Sequence, residues 1–374
     1  MVLDSERGSF GETRPPLSVL SPPPDGRRAK GIARLRYHLR RHGRKLWWLH
    51  SLYALGLGTT VVLFAQRGFA HARWLAVSLG LAWLLVVAFF RLFGSGARQT
   101  NVDAAPPKAR LGFYAMTYAL KNLYQGMLFF LLPFYWRSTT FGAPNAWFIF
   151  LLGVCAIVST LDIVFDRYLM RFRSLASIFH GITLFGCINL IIPALLPNTR
   201  SLVSLLTATA ITVVGFWTLH VPPSALRQRL HVAFLATSVF SAVSLIYFAR
   251  VAIPPVPLHV AHAGVGPALL DDGRLAMEVK MLHSSIISQL LAVTDVVNPG
   301  GRGDRLLHVW RRDGLEIRRS TDEIARVPGP HGTVRIQSSL AGHDLPRPLA
   351  GRWTVDVETE DGQLVGRTSF TVVD

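Results

Sequence analysis

The sequence has few cysteines and few charged residues, and each scarcity excludes a class of protein. Its 374 residues include two cysteines, Cys155 and Cys187, which lie in separate apolar runs and match neither a metal-ligand pair nor a disulfide framework. We expect them to be buried thiols that pack as small hydrophobic groups. The charged fraction is 16% and the hydrophobic fraction is 50%, values typical of a mixed membrane and soluble protein.

Acidic residues are scarce in only one part of the chain. Residues 1–253 hold 26 Lys and Arg against 7 Asp and Glu, whereas residues 254–374 hold 13 against 15. The formal net charge of +17 therefore arises in the first part, where retention of Lys and Arg on the cytoplasmic side of a membrane explains it. No groove-reading motif accompanies the charge, so we expect the lipid bilayer, and not nucleic acid, as a partner.

Catalytic and metal-binding motifs are missing as well. The histidines of the C-terminal part show no paired ligand spacing, so we expect no metal and no cofactor: His283, His308, His331 and His343. The pair Ser338–Ser339 lacks a nucleophile-elbow pattern, so it gives no support for a hydrolase, and we expect no catalytic residues. No cleavable signal peptide is expected either, because Asp4, Glu6 and Glu12 occupy the first residues.

Long apolar runs dominate the first two thirds of the chain. Residues 1–45 are predicted to be a basic, Pro-rich, disordered cytoplasmic tail. Residues 46–252 are predicted to form a transmembrane helical domain, because a spanning helix needs about 20 mainly apolar residues. There are seven candidate spans: 46–65, 74–93, 112–136, 146–165, 174–196, 201–220 and 231–252.

The distribution of positive charge orients these spans. With the N-terminus inside, the inside segments hold 20 Lys and Arg against 5 in the outside segments, and every successive pair of loops agrees. The positive-inside rule thus places residues 254–374 outside the cytoplasm. A count of six or eight spans would place them on the opposite side.

A cluster of polar residues interrupts the third span. Lys121 and Gln125 are four residues apart and share a helix face, and Asn122 lies beside them. Asp162 lies near the inner end of the next span, so we predict a buried structural Lys121–Asp162 pair. A proton or ion relay, or a lysine that snorkels without a partner, stays open as an alternative. Asn122, His180 and Asn189 could add hydrogen bonds between helices.

Residues 254–374 change to short alternating segments with turn signals. In Arg352–Glu358, Trp353, Val355 and Val357 share one face, which is typical of a half-buried strand. The dipeptides Asp313-Gly314 and Asp361-Gly362 are favoured hairpin turns. Further strands are predicted over 257–265, 274–282, 287–297 and 333–340. About eight short strands favour an all-β, antiparallel sandwich of immunoglobulin-like type as the exported domain.

One strand of this domain carries the candidate binding residues His308, Trp310 and Arg312. A two-residue turn at Asp313-Gly314 would pair Trp310 with Ile317 and Arg312 with Leu315. That pairing points Trp310 inward, yet Leu307 and Val309 make the opposite face apolar too. Core packing and ligand stacking therefore both stay open for Trp310, whereas the cleaner alternation around Trp353 predicts a core position.

Two parts of the chain resemble an uncharacterised bacterial family. "HVWRRDG" (308–314) and "GRWTVDVETEDGQLVGRTSF" (351–370) look like domain of unknown function 2914. The spans, including "KNLYQGMLFFLLPFYWRSTTF" (121–141), are similar to the membrane region that precedes it, domain of unknown function 5924. The resemblance implies an inner-membrane protein of Gram-negative type bacteria, and it implies no activity.

Three functions follow as hypotheses. The first is a non-enzymatic inner-membrane protein that displays a periplasmic β-sandwich, which binds an envelope glycan or a protein partner. The second is a transporter or membrane-embedded enzyme that uses Lys121, Gln125 and Asp162. The third is a receptor with a periplasmic sensor, which would need a separate cytoplasmic partner because the inside segments are a short tail and short loops.

Overall fold

The structure, a computed structural model, describes residues 72–93, 107–196, 198–298, 304–320, 327–328 and 333–374. The predicted cytoplasmic tail (1–45) and the predicted span 46–65 lie outside these ranges. Within them, a helical region precedes a region of β-sheet, as the residue patterns predicted.

Six long helices make up the described helical region. They are α1 (Ala72–Phe93), α2 (Pro107–Arg137), α3 (Ala146–Thr160), α4 (Arg173–Leu195), α5 (Ser201–His220) and α6 (Arg229–Ala249). Short 3₁₀ turns follow α5 at Pro223–Arg227 and α6 at Arg250–Ala252. Among the described helices, 4 are long and apolar enough to cross a membrane, and these correspond to α1, α4, α5 and α6. This finding covers only the described residues, so the seven spans predicted for the whole chain stay a prediction.

The helix predicted over 146–165 is interrupted. Helix α3 has 15 residues, which corresponds to about 22 Å, whereas a bilayer core is about 30 Å thick. The chain leaves the helical conformation at Leu161 (φ −92°, ψ 96°), forms one turn at Asp162–Val164 and continues as a π-helix over Phe165–Leu169. This break sets the position of Asp162, one of the predicted polar residues.

Helix α2 packs against three of the other long helices, α1, α3 and α4. Its Leu120, Leu128 and Leu131 are fully buried in one apolar cluster with Leu152 of α3 and Leu190 of α4. Helix α6 buries none of its residues, and large apolar side chains such as Phe240 and Phe248 are exposed on it. So much exposed apolar surface is costly in water and is the kind of surface that a lipid phase would cover.

Nine strands form two sheets in the described part of the chain. The strands are β1 (His259–Gly266), β2 (Met281–His283), β3 (Gln289–Val297), β4 (Leu306–Arg312), β5 (Leu315–Arg319), β6 (Val327–Pro328), β7 (Val334–Ala341), β8 (Gly351–Thr359) and β9 (Leu364–Val373). The first sheet has the order β1-β3-β7-β6, and the second has the order β2-β9-β8-β4-β5. One apolar cluster draws on both sheets, with Leu290 and Leu340 from the first and Trp310, Trp353 and Phe370 from the second.

Three predictions about the strands are wrong in detail. The sheets are not wholly antiparallel, because β2 pairs parallel with β9. The strand predicted over 274–282 is reduced to Met281–His283. In the β4–β5 hairpin, Arg312 pairs with Leu315 as predicted, but a bulge after Trp310 places that residue opposite Arg318 instead of Ile317. The immunoglobulin-like type of the sandwich stays a prediction.

The turn between β4 and β5 forms as its sequence predicted. Asp313 and Gly314 both have positive φ values, 51° and 85°, as a tight type I′ hairpin turn requires. Glycine has no steric penalty in this conformation, and Asp is among the residues that tolerate it. The bulge beyond the turn leaves Ile317 of β5 as an extra residue, so the turn forms as predicted and the register shifts only beyond Arg311.

Candidate functional site

The helical region contains a buried ion pair between Lys121 of α2 and Asp162, which lies directly after the break at Leu161. The Lys121 side chain is 4% exposed and that of Asp162 is 17% exposed. The Lys121 Nζ atom also lies 5.6 Å from the centre of the Tyr118 ring, one turn earlier. The structure therefore brings together the two charged residues that the sequence suggested as partners.

The break in the helix explains how the carboxylate reaches the lysine. Asp162 begins the short turn that follows Leu161, so its carboxylate lies at the N-terminal end of that turn, where the backbone dipole favours negative charge. In a continuous helix over 146–165, the periodicity of α3 would set the direction of the Asp162 side chain. The break at Leu161 frees Asp162 from that periodicity. Interruptions and π-helical turns are found disproportionately at functional sites, which makes this position a candidate site.

Two further polar contacts join α2 to α4. Tyr124 Oη and His180 Nδ1 share a hydrogen bond of 2.8 Å, and Asn189 Nδ2 donates to Tyr135 Oη over 3.2 Å. Tyr135 Oη in turn donates to the Gly186 carbonyl oxygen. The predicted roles of His180 and Asn189 as links between helices thus agree with these contacts. Tyr124 and Tyr135, which are not among the predicted polar residues, lie on the buried side of α2.

The remaining two residues of the predicted polar cluster lie on different sides of α2. Gln125 is buried, one turn after Lys121, on the side that faces the other helices. Asn122 is exposed, and its Nδ2 donates to the carbonyl oxygen of Tyr118 in the same helix. The structure thus pairs Lys121 with Asp162, buries Gln125 one turn after Lys121 and leaves Asn122 exposed.

In the β region, the side chains of His308 and Trp310 lie fully inside the core. Ser338 Oγ is 2.7 Å from His308 Nδ1 and accepts a hydrogen bond from Trp310 Nε1 over 3.1 Å. His308 Nε2 lies 3.0 Å from Thr294 Oγ1. A neutral imidazole satisfies all these bonds, and burial lowers the pKa of His308 to about 4.

The contact between Ser338 and His308 has the atom types of a nucleophile and a base, but its surroundings indicate packing. The serine is 5% exposed, and the second nitrogen of His308 faces the Thr294 hydroxyl instead of an orienting carboxylate. Stacking of an external ligand on Trp310 would require β4 to leave the core. Arg312, the third candidate of the strand, lies near the surface and donates to the Pro348 carbonyl oxygen.

The β region is fixed to one end of the helical region by polar contacts. Asp304 accepts hydrogen bonds from the backbone N–H of Ser201, over 3.1 Å, and from its Oγ, over 2.7 Å, at the start of α5. Arg250 Nε, after α6, donates to the Asp361 carbonyl oxygen. Asn145 Nδ2, before α3, donates to the Leu364 carbonyl oxygen. No local sequence pattern predicts these contacts, because the paired residues lie about a hundred or more positions apart.

Burial raises the pKa of Asp304, although the bonds from Ser201 act in the opposite direction. A buried carboxylate at the first turn of a helix binds N–H groups that have no partner within the helix. Asp304 therefore acts as a cap that the β region supplies to helix α5. No group of three His, Cys, Asp or Glu residues in the described ranges is arranged to hold a metal ion.

Comparison with known protein families identifies the two halves. A model of a family of unknown function, DUF5924, matches residues 29–289, which include all the described helices. The chain belongs to the DUF5924 family. A second model, a protein of unknown function named DUF2914, matches residues 303–372. No curated protein and no solved structure matches the chain.

The boundary between the two matches does not coincide with the boundary between helices and strands. The DUF5924 match extends past α6 through β1 and β2 and ends at the first residue of β3, whereas the DUF2914 match begins shortly before β4. Because β2 pairs with β9, the second sheet contains strands from both matches. The DUF5924 match thus includes two strands of the β region together with the helices.

Proposed function

We propose that this DUF5924 protein is a multi-pass inner-membrane protein that holds an immunoglobulin-like β-sandwich outside the cytoplasm and binds a protein partner there, without catalysis. The fixed contacts at Ser201, Arg250 and Asn145 support this proposal, because they present the β region in a constant orientation on the membrane. A constant orientation suits a partner that contacts the β region at a set distance from the bilayer.

The observation that carries the choice of a protein over a glycan is the position of the aromatic residues. From residue 254 onward the sequence holds three of them, Trp310, Trp353 and Phe370, and all three are buried. An aromatic face that stacks on a sugar ring must be exposed, and this region offers none. The region instead carries half-buried arginines over buried carboxylates, where Arg311 and Arg367 bind Asp356 and Arg319 binds Glu358.

Site-specific photo-crosslinking in cells tests this proposal. A photoreactive amino acid at Leu315, the exposed first residue of the edge strand β5, is expected to give one discrete protein adduct. The same amino acid at Trp147, exposed on the apolar surface of α3, is the control and should give no such adduct. A second probe at Met281, on the opposite edge strand β2, would locate the partner on the sheet.

Binding of the full-length protein in nanodiscs to cell-wall sacculi distinguishes a glycan from a protein. We expect no saturable co-sedimentation above that of empty nanodiscs. Saturable binding that disappears after digestion of the glycan strands would contradict the choice of a protein partner. Absence of any adduct at both Leu315 and Met281 would contradict the proposal as a whole.

The interrupted helix favours a second candidate function, transport or chemistry within the membrane. Lys121 and Asp162 form a buried ion pair at a break in a short apolar helix, and ionisable groups within membranes often mark ion or substrate pathways. Tyr124 and His180 form a second polar pair between the same helix α2 and α4. This candidate predicts that the double variant Lys121→Leu/Asp162→Leu, which leaves no unpaired charge from this pair, keeps its protein level and loses the cellular phenotype of the intact gene.

A further inference from the structure

A cavity of about 490 Å³ lies between the ends of α1, α4 and α5. Its volume falls within the range of about 300–1,000 Å³ that is usual for small-molecule sites. The lining includes Arg91 in the last turn of α1, Arg173 at the start of α4 and His220 at the end of α5. Apolar side chains complete the walls, among them Phe90 and Leu92.

The cavity lies at the end of the helical region that is opposite to the β region. Helix α5 shows this directly, because its first residue, Ser201, binds Asp304 of the β region, while its last residue, His220, lines the cavity. The 20 residues of α5 rise about 30 Å, the thickness of a bilayer core. The arginines at this end therefore lie at the depth of lipid headgroups, on the side that the distribution of charge assigns to the cytoplasm.

The positive charge of the cavity has no counter-charge among the described residues. Neither Arg91 nor Arg173 forms an ion pair with a described carboxylate, and the described lining contains no Asp or Glu. The guanidinium of Arg173 lies 5.6 Å from the centre of the Phe90 ring, and its buried Nε has no described hydrogen-bond partner. A buried N–H donor without an acceptor is costly, so the site is complete only when an acceptor enters it.

We propose that this cavity binds the phosphate group of an anionic phospholipid. Arg91 and Arg173 would bind the phosphate oxygens, since guanidinium groups match phosphate geometry and keep their charge. Leu92, which lines the cavity and is 70% exposed, lies where an acyl chain would run along α1. Basic pockets between helices on the cytoplasmic side are suited to such headgroups.

Lipid binding to the full-length protein in detergent, followed by native mass spectrometry and by the thermal unfolding midpoint, tests this proposal. Phosphatidylglycerol is expected to bind saturably and to raise the midpoint, whereas phosphatidylcholine should do neither. Arg173→Gln should weaken phosphatidylglycerol binding about fivefold, the effect of one cation near a lipid headgroup. Arg91→Lys/Arg173→Lys keeps both charges but loses the guanidinium geometry, so it should bind phosphatidylglycerol more tightly than Arg173→Gln and less tightly than the unaltered protein.

Arg171→Gln is the matched control, because Arg171 is exposed at the same end and does not line the cavity. It should bind phosphatidylglycerol as the unaltered protein does. Equal binding by Arg173→Gln and the unaltered protein would overturn the proposal, and so would equal binding of the two lipids. Inorganic phosphate is tested last. If phosphate raises the unfolding midpoint as much as phosphatidylglycerol does, the lipid proposal is overturned and the ligand is a soluble phosphate compound.

Discussion

The two regions of this protein satisfy their buried polar groups in different ways. In the helical region, hydroxyl groups donate to the carbonyl oxygen one turn earlier in the same helix, as Thr117, Thr183 and Thr209 do. In the β region, buried side chains bind partners on other strands, as Arg335 does with both carboxylate oxygens of Asp295, over 2.8 and 2.9 Å. The difference follows from the backbone, because a strand offers no carbonyl oxygen to its own side chains at that spacing.

A few polar side chains of the helical region bond to a different helix instead of to their own backbone. Most described hydroxyls in the helices bond within their own helix. The Lys121–Asp162 pair and the Tyr124–His180 pair differ from them, because each joins two separate helical segments. In the β region, by contrast, links between strands are the norm, and the network of His308, Ser338 and Thr294 is one of several. A buried polar contact is therefore stronger evidence for a special role in the helices than in the sheets.

The largest loss of stability is expected when one partner of the buried ion pair in the helical region is removed. Lys121→Leu leaves Asp162 without its described counter-ion, and loss of one partner of a buried pair costs about 3–5 kcal/mol. Asp162→Leu should cost a similar amount, whereas the double variant Lys121→Leu/Asp162→Leu should be more stable than either single variant. Unfolding of the purified protein in a mild detergent measures all three.

Asn122→Leu serves as the control for that series, because Asn122 is exposed and bonds only within its own helix in the described structure. It should change the stability by less than about 0.5 kcal/mol, as surface substitutions usually do. Losses that simply add in the double variant would show that Lys121 and Asp162 act independently.

The second largest effect is expected from acid in the β region. The pKa of His308 is lowered to about 4 in the folded protein, whereas an unfolded chain takes up this proton near its ordinary pKa of 6.5. The contribution of the neutral ring is therefore fully present above pH 6.5 and is lost as the pH falls toward 4. The loss between pH 7 and pH 4 amounts to about 3 kcal/mol.

Hydrogen exchange of the β4 amides, corrected for the intrinsic effect of pH, measures this loss. His308→Gln, which cannot titrate, should show a smaller difference in protection between pH 7 and pH 4.5 than the unaltered protein. Equal differences in the two proteins would assign the acid sensitivity to other groups.

A smaller effect is expected at the contact between the two regions. Asp304→Ala removes the acceptor for the backbone N–H of Ser201 and should cost about 1–2 kcal/mol, the usual loss for a helix cap. Asp304→Asn keeps an acceptor oxygen and should cost less. Exchange protection of the amides in the first turn of α5 reports the change, and full protection in the alanine variant would contradict the proposed role of Asp304 as a cap.

The smallest effect is expected at the rim of the same contact. Arg200 and Glu360 form an ion pair of 2.8 Å, but the Arg200 side chain is 53% exposed. Solvent screens such pairs, so Glu360→Gln should lower the stability by no more than about 1 kcal/mol. If Glu360→Gln loses more exchange protection than Asp304→Ala does, the exposed ion pair stabilises this contact more than the buried cap, which contradicts the prediction.

Much of the architecture could be predicted from composition and periodicity. Apolar runs of sufficient length predicted the helices α1, α4, α5 and α6, and alternation around Trp353 predicted β8 and its inward-facing side. The dipeptide Asp313-Gly314 predicted a tight turn because both of its residues tolerate positive φ. These features depend on local chemistry, which a single sequence carries.

The features that could not be predicted depend on distant contacts. The break at Leu161 has no glycine or proline to signal it, and the apolar run continues through Ile163–Phe165. The bulge after Trp310 depends on how β4 pairs with its neighbours rather than on the turn. Trp310 itself was ambiguous because both faces of its strand are apolar, and the other sheet supplies the packing that decides its direction.

We propose that the β region and the arginine-lined cavity lie on opposite sides of a membrane, with the β region outside the cytoplasm. Labelling of single cysteines with a membrane-impermeant maleimide tests it, in a Cys155→Ala/Cys187→Ala background that removes the two native thiols. Leu315→Cys should react in cells whose inner membrane is intact, and Arg171→Cys should react only after that membrane is disrupted. If Arg171→Cys reacts in intact cells and Leu315→Cys does not, the proposed orientation in the membrane is wrong.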